Sequence, residues 1–124
     1  MTSKQLFFLW YSALNPLLPP ICKKTPPFLV YSLAIDLPII SDAMGVYKYY
    51  NKYNGYPSYY GPSGKRLYYL IGSGWLIGPT LGNLTGYVHN GNHYQCPYLI
   101  PNGWMYVNSG YWYNDDTLIV RCIL

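Results

Sequence analysis

The sequence contains no glutamate: its four acidic residues are all aspartates, set against eight Lys and Arg in 124 residues. Charged side chains make up only 10%, far below the roughly one quarter usual for a soluble domain. Solubility therefore rests on tyrosine hydroxyls, Asn, Ser and the backbone. The net charge of +4 is a shortage of acids rather than a wealth of bases, and it lacks the clustered cations that a phosphate backbone demands. Nucleic acid is not an expected partner. Hydrolysis by facing carboxylates is excluded as well, because the two aspartates of the C-terminal two thirds, Asp115 and Asp116, are adjacent and suit a turn or at most half of a calcium shell. With no Gly-x-Ser-x-Gly elbow either, no enzyme is expected. Long apolar runs are also missing. The stretch from Phe28 to Ile40 is thirteen residues long and broken by Asp36 and Pro38, where a bilayer needs about twenty, so no membrane span is expected.

Glycine is absent from residues 1–43, which hold six prolines, whereas residues 45–124 hold all twelve glycines and fifteen of the seventeen tyrosines. The composition breaks near Met44. Residues 1–14 carry one lysine ahead of the mostly apolar run Leu6 to Leu14, as a secretory signal does, though no Ala-x-Ala-like site comes after it. Residues 15–43, with Pro19-Pro20 and Pro26-Pro27, read as an extended Pro-rich linker or as an apolar arm packing on the glycine-rich remainder of the chain. A start at Met44 itself is the third reading. Residues 44–124 form the module.

In the module, turn signals recur every few residues: Asn54-Gly55, Gly61-Pro62-Ser63-Gly64, Gly72-Ser73-Gly74, Gly78-Pro79, Asn90-Gly91, Asn102-Gly103 and Ser109-Gly110. Between them lie short segments dense in Tyr, Trp, Ile, Val and Thr: 56–60, 67–71, 75–77, 84–89, 104–108 and 117–122. These predict an all-β fold, a small antiparallel meander or barrel-like module. The clearest hairpin joins Tyr56–Tyr60 to Leu67–Ile71. In the last segment Leu118, Val120 and Cys122 share a core-facing side.

Three cysteines are most simply arranged as one bridge, Cys96 to Cys122, with Cys22 left over among prolines. Closing that loop would stabilise a small fold by about 3.5 kcal/mol on the chain-entropy account. His89, His93 and Cys96 have the residue types of a zinc site, but Asn90-Gly91-Asn92 between the histidines predicts a turn and no fourth ligand is near, so no metal and no other cofactor is expected. Gly72-Ser73-Gly74-Trp75-Leu76-Ile77-Gly78 departs from the dinucleotide spacing, and Pro79 would stop the helix that the pyrophosphate needs. Asn83-Leu84-Thr85 is the one Asn-x-Ser/Thr sequon, making Asn83 a glycosylation candidate.

Tyrosine is the compositional anomaly. Seven tyrosines between Tyr47 and Tyr60 crowd around Lys48 and Lys52, more than a domain of this size can bury, which predicts an exposed aromatic patch beside cationic side chains. Tyr49, Tyr50, Tyr59, Tyr60, Lys65 and Arg66 are the candidate binding residues.

Asn54-Gly55-Tyr56-Pro57, Lys65 to Leu70, Trp75 to Gly82, Cys96-Pro97, Trp104, Trp112 and Asp116 to Cys122 together resemble a Tyr/Trp/Gly-rich small extracellular module of predicted invertebrate proteins. The resemblance spans about two thirds of the chain. It implies secretion and the Cys96–Cys122 pairing and brings no activity. The functional expectation is a secreted recognition or adhesion module that shows aromatic residues to a glycan or a protein. The rival is a Tyr-rich structural matrix or fibre protein that self-associates.

Overall fold

The computed structural model describes residues 25–33 and 37–123. The fold is all-β: nine antiparallel strands in one curled, half-barrel sheet. They are β1 (Phe28–Tyr31), β2 (Gly45–Tyr53), β3 (Tyr56–Tyr60), β4 (Arg66–Leu70), β5 (Gly74–Gly78), β6 (Val88–Asn90), β7 (Met105–Asn108), β8 (Tyr111–Asn114) and β9 (Ile119–Cys122). Helix among the described residues is confined to one turn, Pro38–Ser41, and two 3-10 turns, Pro62–Gly64 and Pro97–Leu99.

From β2 to β8 each strand pairs with the next, as a meander does, and the order across the sheet is β8-β7-β6-β5-β4-β3-β2-β1-β9. Two hairpins turn on two residues each, Asn54-Gly55 (φ 56° and 78°) and Ser109-Gly110 (φ 53° and 84°). Positive φ at both positions is the pattern of type I′ turns, whose twist matches that of the strands they join. The hairpin expected between Tyr56–Tyr60 and the segment after the Gly61–Gly64 loop forms as β3 and β4, in the register Tyr59↔Leu67 and Tyr60↔Arg66.

Part of the expected linker is instead a strand. β1 lies between β2 and β9, with Phe28 opposite both Tyr47 and Cys122. Its alternation explains this: Phe28 and Val30 are fully buried in the core. The signal-like segment 1–14, residues 15–24 and Cys22 lie outside the described residues.

The sheet has its edges at β8 and β9, yet only residues 115–118 separate the two strands. Only a sheet curled on itself allows so short a crossing. Asp115 secures it: its carboxylate accepts hydrogen bonds from Ser32 Oγ at 2.5 Å, Thr117 Oγ1 at 2.6 Å and Thr117 N at 2.9 Å, while its own N–H donates to Trp104 O at 3.0 Å. One turn residue thus ties the end of β1, the residue ahead of β7 and the start of β9.

The concave face holds the main core, including Phe28, Val30, Tyr47, Tyr59, Leu67, Tyr69, Trp75, Ile77, Val88, Trp104, Leu118 and Val120. A smaller cluster of Tyr68, Leu70 and Leu76 lies on the other side of β4 and β5, capped by Tyr53 and Leu81. Hence β4 and β5 are buried on both faces. Glycine and tyrosine are matched sterically in this arrangement. A Cβ on Gly61 would run into the Tyr47 ring, one on Gly78 into the Tyr68 hydroxyl and one on Gly82 into that of Tyr53. The two enriched residue types are two halves of one packing device.

Candidate functional site

Alternation divides the tyrosines of β2, β3 and β4. Tyr47, Tyr59 and Tyr69 turn inward, while Lys48, Tyr60 and Arg66 turn outward across adjacent strands in the pairs Lys48↔Tyr60 and Tyr60↔Arg66. Tyr50, two residues on from Lys48, falls on the same outer side, next to a register shift between Tyr49 and Asn51 that marks a bulge in β2. The Arg66 guanidinium lies 4.6 Å from the centre of the Tyr50 ring and 6.0 Å from that of Tyr60, and the two rings meet edge to face at 6.3 Å. Tyr50 is 52% exposed and Tyr60 44%, so both rings present area to solvent with a cation fixed between them.

The six candidate binding residues therefore fall into different places. Tyr50, Tyr60 and Arg66 assemble. Lys65 lies apart, with Nζ 5.1 Å from the centre of the Tyr87 ring. Tyr49 is partly exposed and packs its ring edge to face on Tyr59 at 6.2 Å. Tyr59 itself is a correction: fully buried, it meets Phe28 edge to face at 4.4 Å and offers no surface to a ligand. Period-two alternation from Tyr60 gives the physical reason.

Buried hydroxyls have several fates. Tyr47 donates to Ala43 O at 2.8 Å and Tyr68 to Asn83 O at 2.6 Å. Tyr59 Oη and Trp104 Nε1 are buried with no hydrogen-bond partner. Burial pushes the Tyr47 and Tyr59 hydroxyls well above the ordinary phenol range, with Tyr98, Cys122 and Tyr49 adding to it at Tyr59. Burial, then Cys122, pushes Tyr98 up to about 12.

The expected Cys96–Cys122 bridge does not form. Cys122 carries a free thiol, half-buried and hydrogen-bonded to the side chain of Tyr98. Burial raises its pKa, against the opposing effect of that hydrogen bond. The expected phase of β9 holds, since Leu118 and Val120 are buried with it, but the turn Pro97–Leu99 sets Tyr98 against the thiol. Cys96 is fully buried and is engaged outside this pair.

The two histidines do not converge. His89 Nε2 donates to Ser73 O at 2.7 Å, a carbonyl partner that fixes its proton on that nitrogen, and its ring leans on Trp112 at 5.6 Å. His93 Nδ1 meets the Tyr69 hydroxyl at 2.6 Å. No group of three metal-ligating side chains occurs among the described residues. Asn83 sits in a turn beside the exposed Leu84, with Oδ1 accepting from Thr85 N at 2.8 Å and Thr85 Oγ1 at 2.7 Å. Among the described residues no helix is long and apolar enough to cross a membrane.

Two features escape a reading of the sequence. Tyr111, Trp112 and Tyr113 of β8 are all exposed, with Tyr113 stacked on Tyr106 at 5.7 Å and Trp112, on the other face of the strand, against His89. The signal is an aromatic run directly after the Ser109-Gly110 turn. Asp115, expected in a turn or as half of a calcium shell, is the buried clasp of the barrel.

No family model, curated protein or solved structure matches the chain.

Proposed function

We propose that the chain is a non-enzymatic recognition or adhesion module of the extracellular space, which contacts a glycan or a protein through Tyr50, Tyr60 and Arg66. The observation that carries this reading is the guanidinium held over the half-exposed Tyr50 ring and beside that of Tyr60. Stacking holds the arginine fork in place before a ligand arrives, which lowers the ordering cost of binding, and the rings add flat apolar area with hydroxyls at the rim. A turn-borne sequon at Asn83 and the resemblance to extracellular modules support the location. The test is a glycan array and a protein pull-down with the full chain, followed by titration of any hit against Tyr60→Ala and Arg66→Ala. A loss of about 1–3 kcal/mol in binding is expected if either side chain is a central anchor. Binding that survives both changes rejects the site.

One observation favours the structural rival. The edge strand β8, Tyr-Trp-Tyr-Asn, is exposed along its length and carries no charge, Pro or bulge, whereas the opposite edge, β9, shows Arg121. Unguarded edges pair with other chains. Light scattering across a concentration series separates the readings: a recognition module keeps its mass, while a matrix protein grows and Trp112→Lys stops the growth.

A further inference from the structure

The loop 91–95 is braced by asparagines. Asn90 Oδ1 accepts from Asn92 N at 2.9 Å, Asn92 Oδ1 accepts from Tyr94 N at 2.9 Å, and Tyr94 O accepts from Trp75 Nε1 at 2.8 Å. This bracing sets the exposed His93 against Tyr69, whose ring is almost wholly buried. Tyr69 in turn stacks on Tyr56 with centroids 3.8 Å apart and planes 15° from parallel, and it meets Trp75 edge to face at 5.7 Å.

We propose that Tyr69 and His93 are a proton-coupled redox pair, the site where a one-electron oxidation of this protein comes to rest. An oxidised phenol is a very strong acid, so the electron leaves readily only where a base can take the proton at once. Such a base must lie within hydrogen-bond reach. Nδ1 of His93 does so at 2.6 Å, and with the imidazole proton on Nε2 the phenol is the donor. The hydroxyls of Tyr47 and Tyr68 donate to backbone carbonyls, which cannot take up a proton, Tyr59 has no partner, and Tyr98 faces a thiol. Burial above all holds Tyr69 above the ordinary phenol range, so the neutral phenol is the species oxidised.

One electron passes from Tyr69 to an outer-sphere oxidant, such as a trivalent ruthenium polypyridyl complex, which becomes divalent. The Tyr69 O–H bond breaks, its proton moves to His93 Nδ1, and the products are a neutral phenoxyl radical and an imidazolium. The stacked Tyr56 and the edge of Trp75 offer a route for the electron, and the exposed imidazole offers one for the proton. The pair is independent of the recognition surface, which lies on the other face of the strands.

The experiment is flash oxidation of the full chain with a photogenerated ruthenium(III) complex, freeze-trapping and electron paramagnetic resonance. One dominant phenoxyl signal is expected, carrying an exchangeable proton coupling that vanishes in deuterium oxide. Tyr69→Phe keeps the ring stack and should remove the signal. His93→Gln should remove the exchangeable coupling and most of the yield, while His89→Gln changes neither. The proposal is overturned if the signal survives Tyr69→Phe, or if it tracks exposure and disappears instead with Tyr111→Phe, the most exposed tyrosine among the described residues at 71%. A folded His93→Gln protein with unchanged yield and coupling overturns it too. If that variant does not fold, the Tyr69→Phe result decides.

Discussion

The concave and outer faces of β2, β3 and β4 use one residue type in two ways, and Tyr59 and Tyr60 show the contrast between neighbours in sequence. Tyr59 is wedged against Phe28 with its hydroxyl stranded, while Tyr60 lies across Arg66 with its ring half in water. Inward tyrosines act as large apolar plates, matched in places by a glycine that leaves room for the ring. Tyr50 and Tyr60, turned outward, act as stiff surface area. The richness in tyrosine is therefore not one property.

The contrast is sharpest on truncation. Tyr59→Ala should cost about 3–5 kcal/mol of stability by leaving a large cavity, whereas Tyr60→Ala should stay within about 0.5 kcal/mol in urea unfolding. Equal costs would erase the distinction between the faces. Next comes the clasp. Asp115→Ala should cost about 2–3 kcal/mol, since it removes a charged acceptor and strips Ser32 of a buried partner. Burial alone would raise the Asp115 pKa, but the hydrogen bonds from Ser32, Thr117 and Leu118 outweigh it and the pKa falls below the ordinary value. A depressed folded-state pKa gives stability that is present above the unfolded value, about 4, and lost as pH falls through the folded one. Acid unfolding of Asp115→Asn should lack that part of the pH dependence, and an acid limb identical to that of the parent would count against the clasp.

Smaller effects separate the inward tyrosines from each other. Tyr47→Phe should cost about 1 kcal/mol, because Ala43 O loses its donor, whereas Tyr59→Phe should be neutral or stabilising because it deletes a buried hydroxyl that bonds nothing. Matching losses would mean that the Tyr59 hydroxyl has a partner after all. Arg66→Ala should cost about 0.5–1 kcal/mol for a surface cation–π contact, read as a shift in the urea midpoint.

Much of the sheet is legible in the sequence because its turns announce themselves: Asn54-Gly55 and Ser109-Gly110 each need two residues with positive φ, and the chain supplies residues that tolerate it. β1 is hidden because Pro26-Pro27 and Pro38 flank it, and its pairing comes from the far end of the chain, which no local pattern reports. β2 is visible only as a crowd of tyrosines and lysines, since its bulge breaks the period-two signal. The candidate surface is half legible. Sequence points to the segment that carries the exposed rings of Tyr50 and Tyr60, but it cannot sort Tyr59 from Tyr60 without fixing which face is concave. The Cys96–Cys122 pairing fails for a related reason: a shared core says nothing about which neighbour a thiol meets.

The clasp between Ser32 and Asp115 joins residues 83 apart in sequence, and that distance has a kinetic meaning. As the chain leaves a ribosome, β2 to β8 can zip in order, each strand finding the one before it across a short loop. β1 emerges first yet lacks its second neighbour until β9 arrives at the end. Closing so large a loop is entropically slow, and until it closes the strand that carries Phe28 and Val30 has an open edge in the nascent chain. Synthesis halted before Ile119 would leave a nearly complete meander whose first strand is ready to pair with whatever it meets.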